Sequence, residues 1–192
     1  VLGADYMQLS FMRHFNQYLP KSGVSVKNLS NDLAGLHICG PNAQALISRL
    51  ADREMDTTNF KFMSADKMRI GGIDNVMVFR ISFTGECGYE MYLPRNRQAK
   101  LFDILRNEGS DLGLGLVGTR SLMHTRLEKS FAAWGLELSS DYTALDCNMM
   151  AHVKPEKGDF IGRNAVLDYS PQLEKFATFT VDIGNCVIWG DE

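Results

Sequence analysis

A carboxylate bracketed by glycines is the first place in this 192-residue sequence where residue types and spacing point to chemistry. In Phe83-Thr84-Gly85-Glu86-Cys87-Gly88-Tyr89-Glu90 an apolar strand breaks at Thr84-Gly85, presents Glu86, and resumes as Tyr89-Glu90-Met91-Tyr92-Leu93. Glycine lets the backbone bend sharply, and a side chain on such a bend can face a ligand instead of the core. The plainer alternative is a bulged connection with a solvated carboxylate. A second feature lies further on: Gly118-Thr119-Arg120-Ser121, then Arg126-Leu127-Glu128-Lys129, ending in Trp134-Gly135. A helix wound from Thr119 to about Trp134 puts Met123, Leu127, Phe131 and Trp134 on one stripe, with Arg120 and His124 in line at its start. A guanidinium in line with a buried face is costly unless it meets an anion, either a protein carboxylate such as Glu86 or the carboxylate of a ligand. Arg126, Glu128 and Lys129 point away from that stripe and are expected to be solvated or paired at another interface.

The other candidates are weaker. Gly113-Leu114-Gly115-Leu116-Val117-Gly118 is a literal G-x-G-x-x-G, but a polar loop, Asn107 to Asp111, stands where a dinucleotide site needs a buried strand. Cys39, Cys87, Cys147 and Cys186 are far apart and lie in apolar or strand-like stretches, so they read as reduced thiols. The four histidines have no ligand spacing, and no metal site is expected. His37, alternating with Cys39 in an apolar strand, reads as a core residue.

Composition sets the class. A hydrophobic share of 45% and a charged share of 22% are those of a globular protein, and no apolar run approaches the roughly 20 residues a bilayer requires. With 20 basic and 23 acidic residues the net charge is -3, without the basic patch of a nucleic-acid binder. The expected partner is a small molecule or a protein, and the expected compartment is the cytoplasm, or the mitochondrial matrix in a eukaryote. The pattern from Thr178 to Ile188 reads as strand, turn and strand with nothing to pair against, so the chain is expected to be a piece of a longer polypeptide.

Around these residues the periodicity predicts a mixed chain. Met7, Phe11, Phe15 and Tyr18 form the core stripe of a helix over Asp5 to Leu19, stopped by Pro20. Val24 to Val26 and Leu33 to Ile38 read as paired strands, and Gly40-Pro41 opens a helix through Leu50. Phe60 to Met63 and Lys67 to Ile70 read as short strands with Gly71-Gly72 as a turn, and Val76 to Phe83 as a central strand apolar on both faces. Arg80 in that strand needs a carboxylate, for which Glu90 is the candidate. A helix over Asn96 to Asn107 ends at Gly109. Asn148 to Val153 reads as a strand, Phe160 to Arg163 leads into a short helix to Tyr169, and Phe176 to Ile183 alternates as a strand.

Taken together, Gly40-Pro41 with its helix, Arg80-Ile81-Ser82-Phe83-Thr84-Gly85-Glu86-Cys87-Gly88-Tyr89-Glu90, Gly118-Thr119-Arg120-Ser121-Leu122, Arg126-Leu127-Glu128-Lys129 and Phe160-Ile161-Gly162-Arg163 resemble the aminomethyltransferase family. That family comprises the glycine-cleavage T-protein and the folate-binding modules of dimethylglycine and sarcosine dehydrogenases. Glu128-Lys129 followed by Phe131 and Trp134-Gly135 is more similar to the dehydrogenase branch. The resemblance implies an α+β fold of antiparallel sheets with packed helices, ferredoxin-like, binding tetrahydrofolate. It divides the chain into a folate-binding domain over residues 1–172, lacking its N-terminal part, and the start of a C-terminal β-barrel over 173–192. It places Glu86 on the pterin, Arg120 near the folate and Tyr89 near the pocket wall, and it puts the family's aspartate upstream of Val1. The implied activity is transfer of a one-carbon unit, derived from an N-methyl amino acid, to give 5,10-methylene-tetrahydrofolate. Flavin oxidation would belong to a separate domain. A non-catalytic folate-binding or protein-interaction module of the same fold, or a folate-dependent demethylase, are the alternatives.

Overall fold

Alternation along one strand decides how the first half of the chain folds. From Gly88 to Pro94 the side chains of Tyr89, Met91 and Leu93 are buried while Glu90 and Tyr92 between them stay half-buried, so one face of the strand is core and the other is not. The structure, a computed structural model, describes residues 2–169, 176–180, 182 and 184. It divides into two units, Val1–Val117 and Gly118–Glu192.

In the first unit, β1 (Leu33–Cys39), β2 (Ala65–Ile70), β3 (Ile73–Phe79) and β4 (Gly88–Pro94) form one sheet in the order β1-β4-β3-β2, every pair antiparallel. Gly71 and Gly72, both left-handed at φ 55° and 76°, make the tight turn between β2 and β3, a conformation that other residues resist. Helices α2 (Ala43–Leu50) and α3 (Gln98–Glu108), which follow the short α1 (Gln8–Tyr18), press Leu46, Ile47, Leu101 and Leu105 into a core shared with Ile38, Met68, Ile70, Val76, Val78, Tyr89, Met91 and Leu93. Arg49 on α2 clamps the turn after α3 through a bidentate pair with Asp111, at 2.7 and 2.9 Å. The result is the expected α+β arrangement of an antiparallel sheet with packed helices.

Several expectations are corrected. Val24 to Val26 is not a strand; β1 takes β4 as its partner, and the bend at Ser30 to Asp32 is closed instead by Leu29 O accepting Asp32 N–H and Leu33 N–H. Phe60 to Met63 is a loop in which Met63 has φ 67°, incompatible with a strand. No residue of α1 is buried, because α2 and α3 already fill the core face of the sheet; its stripe of Met7, Phe11 and Phe15 is only half-covered. β3 ends at Phe79, so Arg80 to Phe83 belongs to the connection that follows.

The second unit contains α4 (Thr119–Glu128), α5 (Arg163–Leu167) and short 3-10 turns at Met150–His152 and Pro155–Lys157. The former replaces the strand expected over Asn148 to Val153. α4 stops a turn and a half before Trp134, since Ser130 turns left-handed at φ 59° and Phe131 N–H returns to Arg126 O. Of the strand expected over Phe176 to Ile183, residues 181 and 183 lie outside the described residues, and 176–180 have no regular structure. The expected domain limit at 172 and the hairpin beyond Gly184 also fall outside the described residues. No helix among them is long and apolar enough to cross a membrane.

Met91 is fully buried on a strand paired along both edges. Truncating Met91→Ala is expected to lower unfolding free energy by about 2–5 kcal/mol. Urea denaturation measures it, and a loss under about 1 kcal/mol contradicts the assignment of this face as core.

Candidate functional site

The residues between β3 and β4 form a turn whose shape is set by hydroxyl groups. Thr84, 3% exposed, donates its backbone N–H to Ser82 Oγ at 3.3 Å, and its Oγ1 shares a 2.8 Å hydrogen bond with the same Ser82 oxygen. Thr84 Oγ1 in turn accepts Glu86 N–H at 3.3 Å. Gly85 takes φ 75°, so the chain reverses without a Cβ clash, and Glu86 is left exposed at the tip. Such local side-chain-to-backbone bonding is how Ser and Thr fix non-helical bends.

The far end of the turn is tied to the β1–α2 connection. Gly40, at φ 127°, donates its N–H to Cys87 O at 2.9 Å, and Cys39 lies opposite Gly88 in the β1–β4 register. The two motifs that were separate in the sequence, Gly40-Pro41 and the glycine-bracketed glutamate, are therefore neighbours. Gly88 is obligatory for close approach. A Cβ there would lie 2.7 Å from Ser82 Cβ, 3.0 Å from Ser82 Oγ and 3.1 Å from His37 Nε2.

Tyr89 is wholly buried directly after the turn. Its ring stacks on Phe60, with centroids 6.5 Å apart, and its hydroxyl donates to Met55 O at 3.3 Å. Burial, with the neighbouring Cys87, pushes this hydroxyl up to about 12, so it stays protonated and a donor. Within its own unit it supports β4 from below and presents no surface. Arg80, expected to pair with Glu90, instead donates from a guanidinium nitrogen to Phe60 O, while Glu90 accepts the Tyr92 hydroxyl at 2.7 Å. Because β3 ends before Arg80, the side chain reaches the carbonyl of the facing loop, and among the described residues it makes no ion pair.

His37, in β1 opposite Glu90, has a buried Nε2 with no hydrogen-bond partner among the described residues. Desolvation lowers its pKa and the Glu90 charge only partly opposes this.

In the second unit Arg120 is exposed in the first turn of α4, with the helix entered from Gly118 in extended conformation. The outward charge is Arg120, and the buried one is Arg126, the reverse of the expected stripe. Arg126, 3% exposed, donates to Phe131 O at 3.0 Å and to Glu137 Oε1 at 2.7 Å. Glu137 Oε2 accepts Ala133 N–H at 2.9 Å. Leu127, Phe131 and Trp134, expected on the buried stripe, are exposed because the helix ends before two of them and the chain folds back over Arg126. No spacing within the helix marks Arg126 as the buried charge; its partner Glu137 lies outside the helix.

The family model of the GCVT N-terminal domain matches residues 2–157. The chain belongs to this family. Human dimethylglycine dehydrogenase, a mitochondrial protein, is 34% identical over 162 residues, covering 83% of this chain and 19% of the human one. The aminomethyltransferase of Caldanaerobacter subterraneus subsp. tengcongensis is 34% identical over 149 residues, 78% of this chain and 39% of that protein. A chain of the heterotetrameric sarcosine oxidase from Corynebacterium sp. U-96 gives a TM-score of 0.49 at 17% identity, covering 57% of this chain and 54% of that one. This GCVT-family chain thus spans about a fifth of the length of the dehydrogenase and about two fifths of the aminomethyltransferase it matches.

Two outcomes test the geometry. Gly88→Ala, which drives a methyl group into Ser82, is expected to cost about 1–3 kcal/mol in urea denaturation; a neutral effect contradicts the close approach. Arg126→Ala leaves Glu137 without its cation and is expected to cost about 3–5 kcal/mol at pH 7. Burial alone would raise the Glu137 pKa, but the Ala133 N–H and the Arg126 guanidinium outweigh it and hold the carboxyl low. Its contribution is therefore complete above the ordinary glutamate value of about 4.3 and is lost as pH falls through the lower folded value. The gap between the Arg126→Ala variant and the parent should narrow below about pH 4, and a constant gap contradicts the pairing.

Proposed function

We propose that this chain is a tetrahydrofolate-binding module for one-carbon transfer within a larger protein of the dimethylglycine or sarcosine dehydrogenase kind. The observation that carries the proposal is the exposed Glu86 carboxylate, held on a turn whose backbone is bonded at both ends and which belongs to a chain of the GCVT N-terminal domain family. The names of the relatives, a dimethylglycine dehydrogenase and an aminomethyltransferase, support the reaction class.

The residues fit the ligand chemically. An ionised carboxylate only accepts, so Glu86 suits the amino and ring N–H edge of a pterin and can take two of its donors. Arg120 supplies a permanent positive charge for an anionic group of the folate, with the guanidinium fork favouring a carboxylate. Tyr89 acts beneath the site. Its stacking on Phe60 and its bond to Met55 keep β4 still, so the turn above it starts from a fixed point. Bound tetrahydrofolate supplies a nucleophilic amine for a one-carbon unit at the oxidation level of formaldehyde. The contribution of this chain is position and charge, and none of its residues is assigned covalent catalysis. Oxidation of the N-methyl donor is assigned to a flavin domain outside this chain, and, in a eukaryote, the setting to the mitochondrial matrix.

Replacing Glu86→Gln in the full-length protein keeps the shape but turns one acceptor oxygen into a donor. Tetrahydrofolate affinity is expected to weaken by about tenfold or more in titration calorimetry. An unchanged dissociation constant removes Glu86 from the site.

A further inference from the structure

The sheet of the first unit has one edge covered by its own chain and one that is not. Along the outer edge of β2, Ala51 bridges Ile70, Asp52 N–H donates to Arg69 O at 3.2 Å, and Gly71 N–H donates to Leu50 O at 2.8 Å. The outer edge of β1 is different. Gly40 N–H bonds Cys87 O in the β1–β4 register, so Ala34, Leu36 and Ile38, which alternate with it, turn their backbone groups to β4. Gly35, His37 and Cys39 turn theirs the other way. The Gln98 side chain reaches Gly35 O at 3.5 Å, and among the described residues nothing bonds Gly35 N–H or the N–H and C=O of His37 and Cys39. The strand there, Leu-Ala-Gly-Leu-His-Ile-Cys, has no Lys, Pro, acidic residue or bulge, the devices that protect a permanently exposed edge. Helix α3 marks the same place. Gln98 and Phe102 stand one turn apart on one stripe, so Phe102 lies on the side of the helix from which Gln98 reaches the edge, and it is 36% exposed. Leu36, packed against the core from β1, is also only half-buried.

We propose that the outer edge of β1 is a docking edge for a fifth strand, supplied by a part of the same polypeptide outside residues 1–192. The bonding groups define the occupant. Donors and acceptors repeating every second residue along an extended strand are matched by another extended backbone, and the side chains it turns toward Phe102 and Leu36 must be apolar. The source follows from mass action. This chain covers 19% of the human dimethylglycine dehydrogenase it matches, and a strand on the same polypeptide meets the edge at an effective concentration on the order of millimolar. A second copy has only its bulk concentration. The unprotected composition of β1 agrees, since an edge covered as the protein folds needs no charge to repel other strands. One end of the added strand lies beside Cys39, next to Gly40, whose N–H holds Cys87 O at the base of the Glu86 turn, so the docked strand braces the candidate site from its far side.

The proposal rests on the reading of this chain as part of a larger protein and not on folate binding. In the full-length protein without ligand, amide hydrogen exchange is read residue by residue along β1, and a benzophenone side chain placed at position 102 is photocrosslinked. An uncovered edge exchanges in alternation, with Gly35, His37 and Cys39 about tenfold or more faster than the β4-bonded Leu36 and Ile38. The proposal predicts that the two sets agree within about tenfold, each amide being held by a strand on its own side. It also predicts a crosslink, at the mass of a single chain, to a residue outside 1–192. Alternating exchange, a crosslink at the mass of two chains, or a crosslink confined to residues 1–192 overturns it. Tetrahydrofolate is absent from both readouts, so an alternating edge leaves the folate reading standing, and a failed folate titration leaves the docked strand standing.

Discussion

The position of β4 is the constraint from which the site follows. It is the one strand that carries β1 on one edge and, over Glu90 to Tyr92, β3 on the other, and its inward side chains are buried under α2 and α3. A shift of one residue would turn Tyr89, Met91 and Leu93 outward and bring Glu90 and Tyr92 into the core, so the register is fixed by burial. With the register fixed, Gly88 must lie against Ser82 and beside His37, and the preceding residues have only one way to leave the sheet. The glutamate turn is thus the outcome of packing that occurs below it.

The two units rest on different chemistry. The first has a continuous apolar core, whereas among the described residues of the second the buried ones are Ala133 and Cys147 with the polar residues Arg126 and Asp146. Asp146 Oδ2 gathers the Thr143 N–H, the Thr143 hydroxyl and the Tyr169 hydroxyl, each at 2.8 Å, and Arg126 gathers Phe131 O and Glu137. Buried charges of this kind fix loop conformation through directional bonds, and they are intolerant of losing one partner. Acid removes the Glu137 charge from this unit, as it removes those of the paired Asp66 and Asp111 carboxylates from the first.

Much of the first unit was legible from periodicity. β1, β2 and the helices α2 and α3 follow from apolar spacing with Gly40-Pro41, Gly71-Gly72 and Gly109 as punctuation, and the glutamate turn follows from Gly85 and Gly88. What periodicity could not supply was the choice of partner. Val24 to Val26 has a strand-like composition but pairs with no strand, since β1 takes β4 as its partner, and Arg80 found a carbonyl where charge alone pointed to Glu90. In the second unit the apolar stripe through Trp134 was misleading because a left-handed Ser130 ends the helix, and neither helix propensity nor spacing marks a serine for that conformation. The buried arginine could only be recognised with Glu137, a partner outside the helix. The resemblance to aminomethyltransferases, carried by short motifs in a fixed order, located the family without these details.

The central claim is that the turn tip at Glu86 is where a folate meets the first unit. Backbone amide shifts of isotopically labelled full-length protein, followed during titration with tetrahydrofolate, test it most directly. The account predicts that the largest perturbations in the first unit fall on Thr84 to Gly88 and on Gly40, whose N–H is bonded to Cys87. Perturbations confined to other surfaces, with these amides unmoved at saturation, would contradict it.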